Sequence, residues 1–388
     1  MPNTEVCDLC GRDELKPIYP VPGTARGLVV NVCMHCGLAQ SLPRIDHVAR
    51  RSAFPDSGAG FGNIRYGKGF RTDFALKTIA SQRSLSAFNR CLDVGANRGS
   101  FILALKKAAP QIVIDAVEPD ERVTGDYENV QDITLIPSRI EHVTLQADTY
   151  DLVYHCHTLE HEKHPLKSLT AIQKAMTDEG LMFLEVPNIA LLERDDLVEE
   201  WFIDKHLYHY SAHSLLQTLK AAGFEVIWGP DASDETNLSV LVKKSGAQSP
   251  RGDQSLASKE VGRISDYGVS LLENQHRLKD GAGRLSSFCQ DNSVVIWGAG
   301  RIFTSLVDIG GFGPNQLSGL VDRNLHRYVD SMYGIDVLPP EAIAEIRPET
   351  VLVASRLYLD EIKTELSSIL EGVNVLTLDD VLAGDIEG

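Results

Sequence analysis

The feature that most constrains the fold is the stretch 90–101, which has the pattern of a buried strand, a glycine turn and the start of a helix. Asp93 stands at the carboxyl end of that strand, and Gly95 and Gly99 allow the backbone to turn tightly and to approach a ligand. The next apolar strand ends in Glu118, 25 residues beyond Asp93. Doubly wound folds place a carboxylate on a ribose diol at about this separation. These four residues therefore predict an adenosine site.

Apolar segments alternate with helical segments after this point, which predicts a parallel sheet covered on both faces. Two final strands joined by a short polar loop predict an antiparallel pair. The predicted strands are 91–94, 112–117, 132–136, 151–156, 180–186, 224–228 and 238–243. The sequence thus predicts an α/β fold whose ligand lies beyond the carboxyl ends of the strands.

Two Cys-x-x-Cys-Gly motifs near the N-terminus supply four cysteines: Cys7, Cys10, Cys33 and Cys36. Four thiolates favour Zn²⁺, and each glycine suits the tight turn of a zinc knuckle. Since all four ligands come from the protein, we expect a structural site that stabilises a segment too small for its own core. A redox dithiol is the alternative, but such a pair opens a helix in a thioredoxin-like unit, which this loop-rich segment does not resemble.

A polar stretch rich in glycine and proline begins near residue 245 and marks a domain boundary. Beyond it, residues 293–301 form a second strand, glycine turn and helix, followed by a strand that ends in Asp322. The third glycine of a dinucleotide fingerprint is missing there, so a structural or substrate-gripping Rossmann-like domain is favoured. The predicted domains are 1–48 (zinc-binding), 49–245 (ligand-binding α/β), 246–290 (linker and helical segment) and 291–388 (Rossmann-like).

The net charge of -17 argues against duplex nucleic acid and anionic membranes as partners. The chain has no run of about 18 apolar residues and no secretory signal pattern. We therefore expect a cytoplasmic protein that acts on a small molecule.

The glycine turn and the sequence Val-Glu-Pro-Asp at 117–120 resemble the first two motifs of class I S-adenosylmethionine (SAM) methyltransferases. A Gly-x-x-x-Gly turn lacks the middle glycine against which a pyrophosphate packs, which suits a ligand without phosphates. The alternative is another doubly wound fold in which Glu118 is a solvated surface acid. The resemblance implies a seven-stranded Rossmann-like sheet and SAM as cofactor, bound by Asp93, Gly95, Asn97, Gly99, Glu118, Pro119 and His157.

With the cysteine motifs and the C-terminal Gly-Ala-Gly segment, nearly the whole chain resembles the deoxysugar C-methyltransferase family. The resemblance implies a 4-keto nucleotide-sugar substrate, whose carbon beside the carbonyl is deprotonated by the histidine of a Tyr-x-Glu-His motif. His206 matches that histidine, but Lys205 stands at the glutamate position and Ile203 at the tyrosine position. A neighbouring lysine lowers the pKa of a histidine and keeps it neutral, and Lys205 could also stabilise an enolate.

Three further residues are candidates for the site. His161 lies in Leu-Glu-His, which resembles a turn common in small-molecule SAM methyltransferases, and either acts as acid or base or only braces the loop. Tyr208 is a second assisting group, and Tyr66, in a glycine-aromatic segment, either faces substrate or packs. Two alternatives to C-methylation stay open: O- or N-methylation of a sugar, lipid or natural product, and a non-catalytic SAM-binding scaffold.

Overall fold

The computed structural model describes residues 5–24, 27–44, 68–120, 125, 127, 129–231, 234–327, 329–356 and 358–386. Tyr66 lies outside these ranges. The described chain forms two compact units. The first comprises residues up to 44 together with 68–193 and 202–265, and the second comprises 194–201 and 266–386.

The described strands of the first unit are β1 (Leu15–Pro20), β2 (Val29–Cys33), β3 (Ala39–Leu42), β4 (Arg90–Val94), β5 (Val113–Val117), β6 (Ile133–Ile136), β7 (Tyr150–Cys156), β8 (Met176–Pro187), β9 (Tyr208–His209), β10 (Phe224–Trp228) and β11 (Asn237–Lys244). They form two sheets. The smaller is antiparallel, in the order β1-β2-β3-β9. These strands are short, between two and six residues, and the sequence did not predict this sheet.

The larger sheet has the strand order β10-β11-β8-β7-β4-β5-β6. Strands β4 to β8 are parallel, and β11 runs antiparallel to both β8 and β10. The predicted sheet and its terminal antiparallel pair are thus confirmed. Because β4 lies between β5 and β7, the carboxyl ends of these three strands meet at one edge of the sheet.

The described helices of the first unit are α1 (Lys68–Gln82), α2 (Ser100–Ala108), α3 (Pro165–Ala175), α4 (Ala212–Ala221) and the start of α5 (Gln254–Asp291). Apolar residues of the large sheet are buried on both of its faces, in two separate clusters. Val94 and Leu184 belong to one cluster, whereas Cys91 and Phe183 belong to the other. Near-continuous apolar strands are expected for a sheet that is covered on both sides.

Residues 246–290, predicted as a linker with a helical segment, lie mostly within one continuous helix, α5. Ile264, Tyr267, Leu271 and Leu278 are buried along it at intervals of three, four and seven residues. This spacing places them on one face of the helix. Among the described residues, no helix is both long enough and apolar enough to cross a membrane.

The described elements of the second unit are β12 (Val294–Trp297), α6 (Arg301–Asp308), β13 (Gly319–Val321), β14 (Ser331–Met332), β15 (Ile335–Leu338), α7 (Ile343–Ile346), β16 (Thr350–Val353), α8 (Leu359–Ile369), β17 (Asn374–Thr377) and α9 (Leu378–Ala383). The strands follow the order β14-β15-β13-β12-β16-β17, and all neighbours except β14 and β15 are parallel. Residues 194–201 belong to this unit, where Arg356 binds the carboxylates of Asp196 and Glu199 at 2.6 and 2.7 Å.

Candidate active site

Two glycines shape the turn that follows β4. Gly95 has a φ of +77° and Gly99 a φ of +72°, in the region that favours glycine. A Cβ atom at Gly95 would lie 2.1 Å from Oγ1 of Thr158, and one at Gly99 would lie 2.2 Å from Cδ1 of Tyr127. The hydroxyl of Thr158 also donates a hydrogen bond to the carbonyl of Val94 at 3.1 Å. Only glycine fits at these two positions, and the turn lies directly against the chain that follows β7.

Glu118, at the end of β5, holds this turn in place. One carboxylate oxygen accepts a hydrogen bond from the backbone N–H of Asn97, and the other accepts one from that of Asp120, each at 2.8 Å. Pro119, which lies between Glu118 and Asp120 in the chain, is half-buried. A carboxylate at this position is a group that accepts hydrogen bonds from ligand hydroxyls. The turn and the carboxylate meet as the sequence predicted.

Asp93 is the most unusual group at this edge of the sheet. Its side chain is 1% exposed, and neither carboxylate oxygen has a hydrogen-bond partner among the described residues. Burial, and secondarily the charge of Glu118, raise the pKa of Asp93 well above its usual value. A buried carboxylate without a donor is costly. The site therefore suits a ligand that brings hydrogen-bond donors or positive charge to Asp93.

The chain after β7 carries a second group of ionisable residues. Nε2 of His157 lies 3.1 Å from Oε1 of Glu185 at the end of β8, and its Nδ1 lies 3.5 Å from Oε1 of Glu160. Burial and Arg71 act to lower the pKa of His157, but the two carboxylates outweigh them and raise it. Although burial opposes it, His157 lowers the pKa of Glu185 to about 2, with help from Arg71. His157, Glu160, Glu185 and Arg71 therefore form a network of paired charges.

Glu160 joins His157 to two more histidines. It is 1% exposed, and its Oε1 lies 3.7 Å from Nε2 of His161. The ring centroids of His161 and His206 are 4.8 Å apart. One ring nitrogen of each histidine and one carboxylate oxygen of Glu160 all lie within 4.8 Å of one another. Burial opposes ionisation of Glu160, but His161 and the other histidines lower its pKa to about 2. Burial, followed by the charge of His161, lowers the pKa of His206 well below its usual value.

Backbone contacts fix the loop that carries His206. The N–H of Leu207 donates to the carbonyl of Glu160 at 2.8 Å, and Nδ1 of His161 donates to the carbonyl of Lys205 at 2.8 Å. The side chain of Lys205 is exposed. Tyr208 is 1% exposed and its hydroxyl donates to the carbonyl of Lys163 at 2.9 Å. This hydrogen bond gives Tyr208 a supporting role in the loop, and its assistance in catalysis stays a prediction.

The four N-terminal cysteines converge as predicted. Sγ of Cys7 lies 3.6 Å from Sγ of Cys36, the same distance separates Cys10 from Cys33, and all four sulfurs lie within 4.8 Å of one another. Sulfurs around a tetrahedral zinc with Zn–S of 2.3 Å are about 3.8 Å apart. The sulfur positions therefore fit a four-thiolate zinc site.

The two knuckles share one backbone pattern and are tied to the histidine cluster. The glycine after each second cysteine donates its N–H to the carbonyl of the first cysteine at 2.9 Å, and both glycines have positive φ. Asp8, inside the first knuckle, accepts a hydrogen bond from the N–H of Leu166 at the start of α3. Soon after the second knuckle, β3 pairs with β9, in which Ala39 lies opposite His209. The cysteine segment therefore braces both chain segments that carry the histidines.

Sequence reasoning missed Arg71, Glu160 and Glu185 as members of the site. Glu160 carried a usable signal, since it lies three residues after His157 and directly before His161. Glu185 also carried one, because it stands near the carboxyl end of a predicted strand. Arg71 gave none, since its contact with Glu185 at 3.5 Å joins distant parts of the sequence.

Comparisons with known proteins bear on the first unit. Residues 67–228 match the family described as "Methyltransferase domain". No curated protein matches the chain. Solved structures that are similar include a SAM-dependent methyltransferase from Clostridium acetobutylicum (13% identity, 52% of this chain and 100% of that one, TM-score 0.40) and one from Mesorhizobium loti (14%, 44% and 96%, 0.36). A third is the plantazolicin methyltransferase BpumL in complex with a monoazolic desmethylPZN analog and SAH (14%, 46% and 86%, 0.40).

Proposed function

We propose that this chain, a SAM-dependent methyltransferase with the class I fold, methylates a carbon of a keto-deoxysugar nucleotide. The observation that carries the proposal is the meeting of a neutral, half-buried His206 with His161 and Glu160, beside the turn that the fold uses for its cofactor. A neutral imidazole is the form that can take up a proton. The resemblance to the deoxysugar C-methyltransferases supplies the substrate class.

The residues at the glycine turn fit SAM. Asp93 offers a buried carboxylate whose oxygens lack donors among the described residues, and SAM carries an ammonium, a sulfonium and ribose hydroxyls. Glu118 is the proposed acceptor for the ribose hydroxyls, and Asn97, Pro119 and His157 line the same edge of the sheet. SAM supplies an electrophilic methyl group and leaves as S-adenosylhomocysteine. We assign these residues, with Gly95 and Gly99, to SAM binding.

His206 is the proposed general base. It takes the proton from the carbon beside the substrate carbonyl, and the C–H electron pair moves to give an enolate with its charge on the carbonyl oxygen. That carbon then forms the new bond to the methyl group, and the pair from the broken C–S bond goes to sulfur. Positioning of the two reactants provides much of the acceleration, and the base adds roughly 10²- to 10⁴-fold.

The reason why His206 is neutral differs from the one that the sequence suggested. Lys205 was expected to lower its pKa, but burial is the first cause and His161 the second. Lys205, whose side chain is exposed, is the group proposed to stabilise the enolate or a substrate anion. Burial also lowers the pKa of His161, so this second histidine is a further neutral acceptor for the proton.

We further propose that Cys7, Cys10, Cys33 and Cys36 bind one structural Zn²⁺. The sulfur spacing and the two matching knuckles support this assignment. Reduced thiolates of this kind suit a cytoplasmic protein. Elemental analysis of the purified protein should find one zinc per chain, and replacement of Cys33 by Ser should remove it. A preparation without zinc that keeps the same thermal stability would refute the assignment.

The test of the main proposal is turnover of labelled SAM with a panel of nucleotide-linked 4-keto-deoxysugars. His206→Ala should reduce turnover roughly 10²-fold or more, while calorimetry shows unchanged SAM affinity. His142→Ala, which alters an exposed histidine of the same unit, is the control. If His206→Ala turns over at the wild-type rate, His206 is not the base.

O- or N-methylation is the second candidate. It is favoured by Lys205, because the carboxylate that the C-methyltransferase motif places beside its histidine is missing. Deuterium uptake from solvent at the carbon beside the carbonyl separates the two, since only C-methylation needs a carbanion. SAM turnover without uptake would move the assignment to an oxygen or nitrogen. The non-catalytic scaffold is set aside, because residues 67–228 match a methyltransferase domain.

A further inference from the structure

His206 lacks the carboxylate that its motif leads one to expect. Position 205 is occupied by lysine, whose side chain is exposed. A catalytic histidine that becomes charged during the reaction is normally supported by a nearby anion, which orients the ring and stabilises the imidazolium. The question is whether another part of the fold supplies this anion.

Glu160 has the properties that this role requires. It is 1% exposed, and although burial opposes this, the neighbouring histidines lower its pKa to about 2. Among them His157 has a raised pKa, so it is the cation that keeps Glu160 ionised when His161 and His206 are neutral. Its Oε1 lies 3.5 Å from Nδ1 of His157, and neither oxygen has a shorter partner among the described residues. One of them lies within 4.8 Å of a ring nitrogen of His206. A buried anion, paired on one side with His157, therefore lies beside the proposed base.

The tautomer of His161 explains why that neighbour does not satisfy Glu160. Nδ1 of His161 lies 2.8 Å from the carbonyl oxygen of Lys205, and a carbonyl can only accept, so Nδ1 carries the hydrogen. In the neutral ring, Nε2 then presents a lone pair toward Oε1 of Glu160 at 3.7 Å. Two lone pairs do not form a hydrogen bond. Glu160 thus remains an acceptor for a proton that arrives from elsewhere.

We propose that Glu160 is the positioning residue for His206 and replaces the carboxylate that is absent at position 205. This inference rests on the proposed function of His206. When His206 takes the substrate proton, its ring becomes an imidazolium, and Glu160 stabilises that charge without itself being protonated. The backbone bond from Leu207 to the carbonyl of Glu160, at 2.8 Å, keeps the two residues in register.

The other charged groups around the pair set the direction of the expected effects. His161, His209 and His157 act against a charge on His206, and Glu160 is the anion that favours it. His157 is held between Glu160 and Glu185, and Arg139 lies near His161. Removing the anion should therefore make His206 a weaker base and move its protonation to lower pH.

The test compares Glu160→Gln, Glu160→Asp and the control Glu179→Gln, which removes an exposed carboxylate of the same unit. The probe is a nucleotide-linked 4-keto-deoxysugar in deuterated buffer, with uptake of deuterium followed from pH 5 to 9. For Glu160→Gln we expect kcat to fall roughly tenfold to a hundredfold. The acid limb of its pH–rate profile should move to lower pH, and its KM and SAM affinity should stay unchanged. Glu160→Asp should recover part of kcat. The control should match the wild type.

A second measurement does not need turnover. Nitrogen-15 spectra of labelled histidines, assigned with His206→Ala, report which ring nitrogen of His206 carries hydrogen and at what pH the ring becomes charged. In Glu160→Gln both should change, with charging at lower pH. Unchanged His206 resonances, or loss of SAM affinity and thermal stability without a separate effect on kcat, would overturn the proposal. An extra metal ion that the wild type binds and Glu160→Gln does not would also overturn it, since Glu160 would then be a ligand.

These outcomes separate the inference from the proposed function. If wild-type protein exchanges deuterium and Glu160→Gln does so at the same rate and with the same pH profile, only the role of Glu160 is refuted. If the wild type exchanges with none of the keto-sugars, the proposed substrate fails, and the nitrogen-15 spectra still decide whether Glu160 acts on His206.

Discussion

The two units repeat one motif and differ in what they leave unsatisfied. In each, a buried strand runs into a glycine turn and a helix, and the next strand ends in an acid that accepts a backbone hydrogen bond from the turn. Glu118 accepts from Asn97 at 2.8 Å, and Asp322 accepts from Ala299 at 3.1 Å. The common geometry explains why both stretches resembled nucleotide-binding turns in the sequence.

The difference lies at the strand end. In the first unit, Asp93 stands two residues before Gly95, buried and without donors among the described residues. In the second, the position two before Gly298 is Ile296, which is fully buried in the apolar core. Arg356, which follows β16 in that unit, is already bound by Asp196 and Glu199. The same backbone motif is thus prepared for a ligand in one unit and internally satisfied in the other.

The largest expected effect comes from adding a methyl group at each glycine turn. In Gly95→Ala, the new Cβ would lie 2.1 Å from Thr158, and positive φ adds strain, so SAM binding should be lost by isothermal titration. In Gly298→Ala, the new Cβ would lie 2.8 Å from the carbonyl oxygen of Ala354, at a φ of +115°. This change should cost about 1–3 kcal/mol of stability and leave SAM affinity unchanged. Equal loss of SAM affinity in both variants would contradict the comparison.

Replacement of Asp93 and of Asp322 by asparagine should have opposite effects on stability and on SAM affinity. Asp93→Asn removes a buried carboxylate that lacks donors, so the protein without cofactor should be as stable as the wild type or more so. Its SAM affinity should fall roughly tenfold to a hundredfold, the equivalent of one charged hydrogen bond.

Asp322→Asn is the matched variant in the second unit. Asp322 accepts three backbone hydrogen bonds, from Ala299, Asn324 and Leu325. Its replacement should lower thermal stability and leave SAM binding intact. Asp93→Asn with wild-type SAM affinity would show that the unsatisfied carboxylate is not part of the cofactor site.

The sequence predicted the elements whose signal is local. The apolar strands β4, β5, β7 and β8, and the cysteine pairs, follow from spacing within short segments. The strands of the small sheet were missed because they are short, and one of them, β9, has only two residues and pairs with β3 from a distant part of the sequence. Residues 194–201 were assigned to the ligand-binding domain because their contact with Arg356 leaves no trace in spacing.

In the candidate site, too, residues with a local sequence signal were predicted, and contacts between distant segments were not. Gly95, Gly99 and Glu118 were predictable because a strand, a turn and a helix impose their spacing. The approach of Glu160 to His206 was not, since it joins a turn after β7 to a loop before β9. Lys205 misled the sequence argument for a related reason: adjacency along the chain suggested an electrostatic partner, whereas burial decides the pKa of His206.

The smallest expected effect is a difference in acid sensitivity between the units. Burial lowers the pKa of His209 to about 3, and its Nε2 lies 2.8 Å from Oγ of Ser41. A histidine whose folded pKa is depressed stabilises the fold at pH above its unfolded pKa of about 6.5, and this contribution is lost as pH falls below that value. From pH 7 to pH 5 the first unit should therefore lose about 2 kcal/mol from His209.

Calorimetry at both pH values checks this prediction. His209→Gln keeps a polar partner for Ser41 but does not titrate, so the unfolding transition of the first unit should depend less on pH than in the wild type. His209 lies in the first unit, so the transition of the second unit should lack this contribution. If His209→Gln leaves the pH dependence of the first unit unchanged, His209 is charged or solvated in the folded protein, and the acid-sensitive contrast between the units has another source.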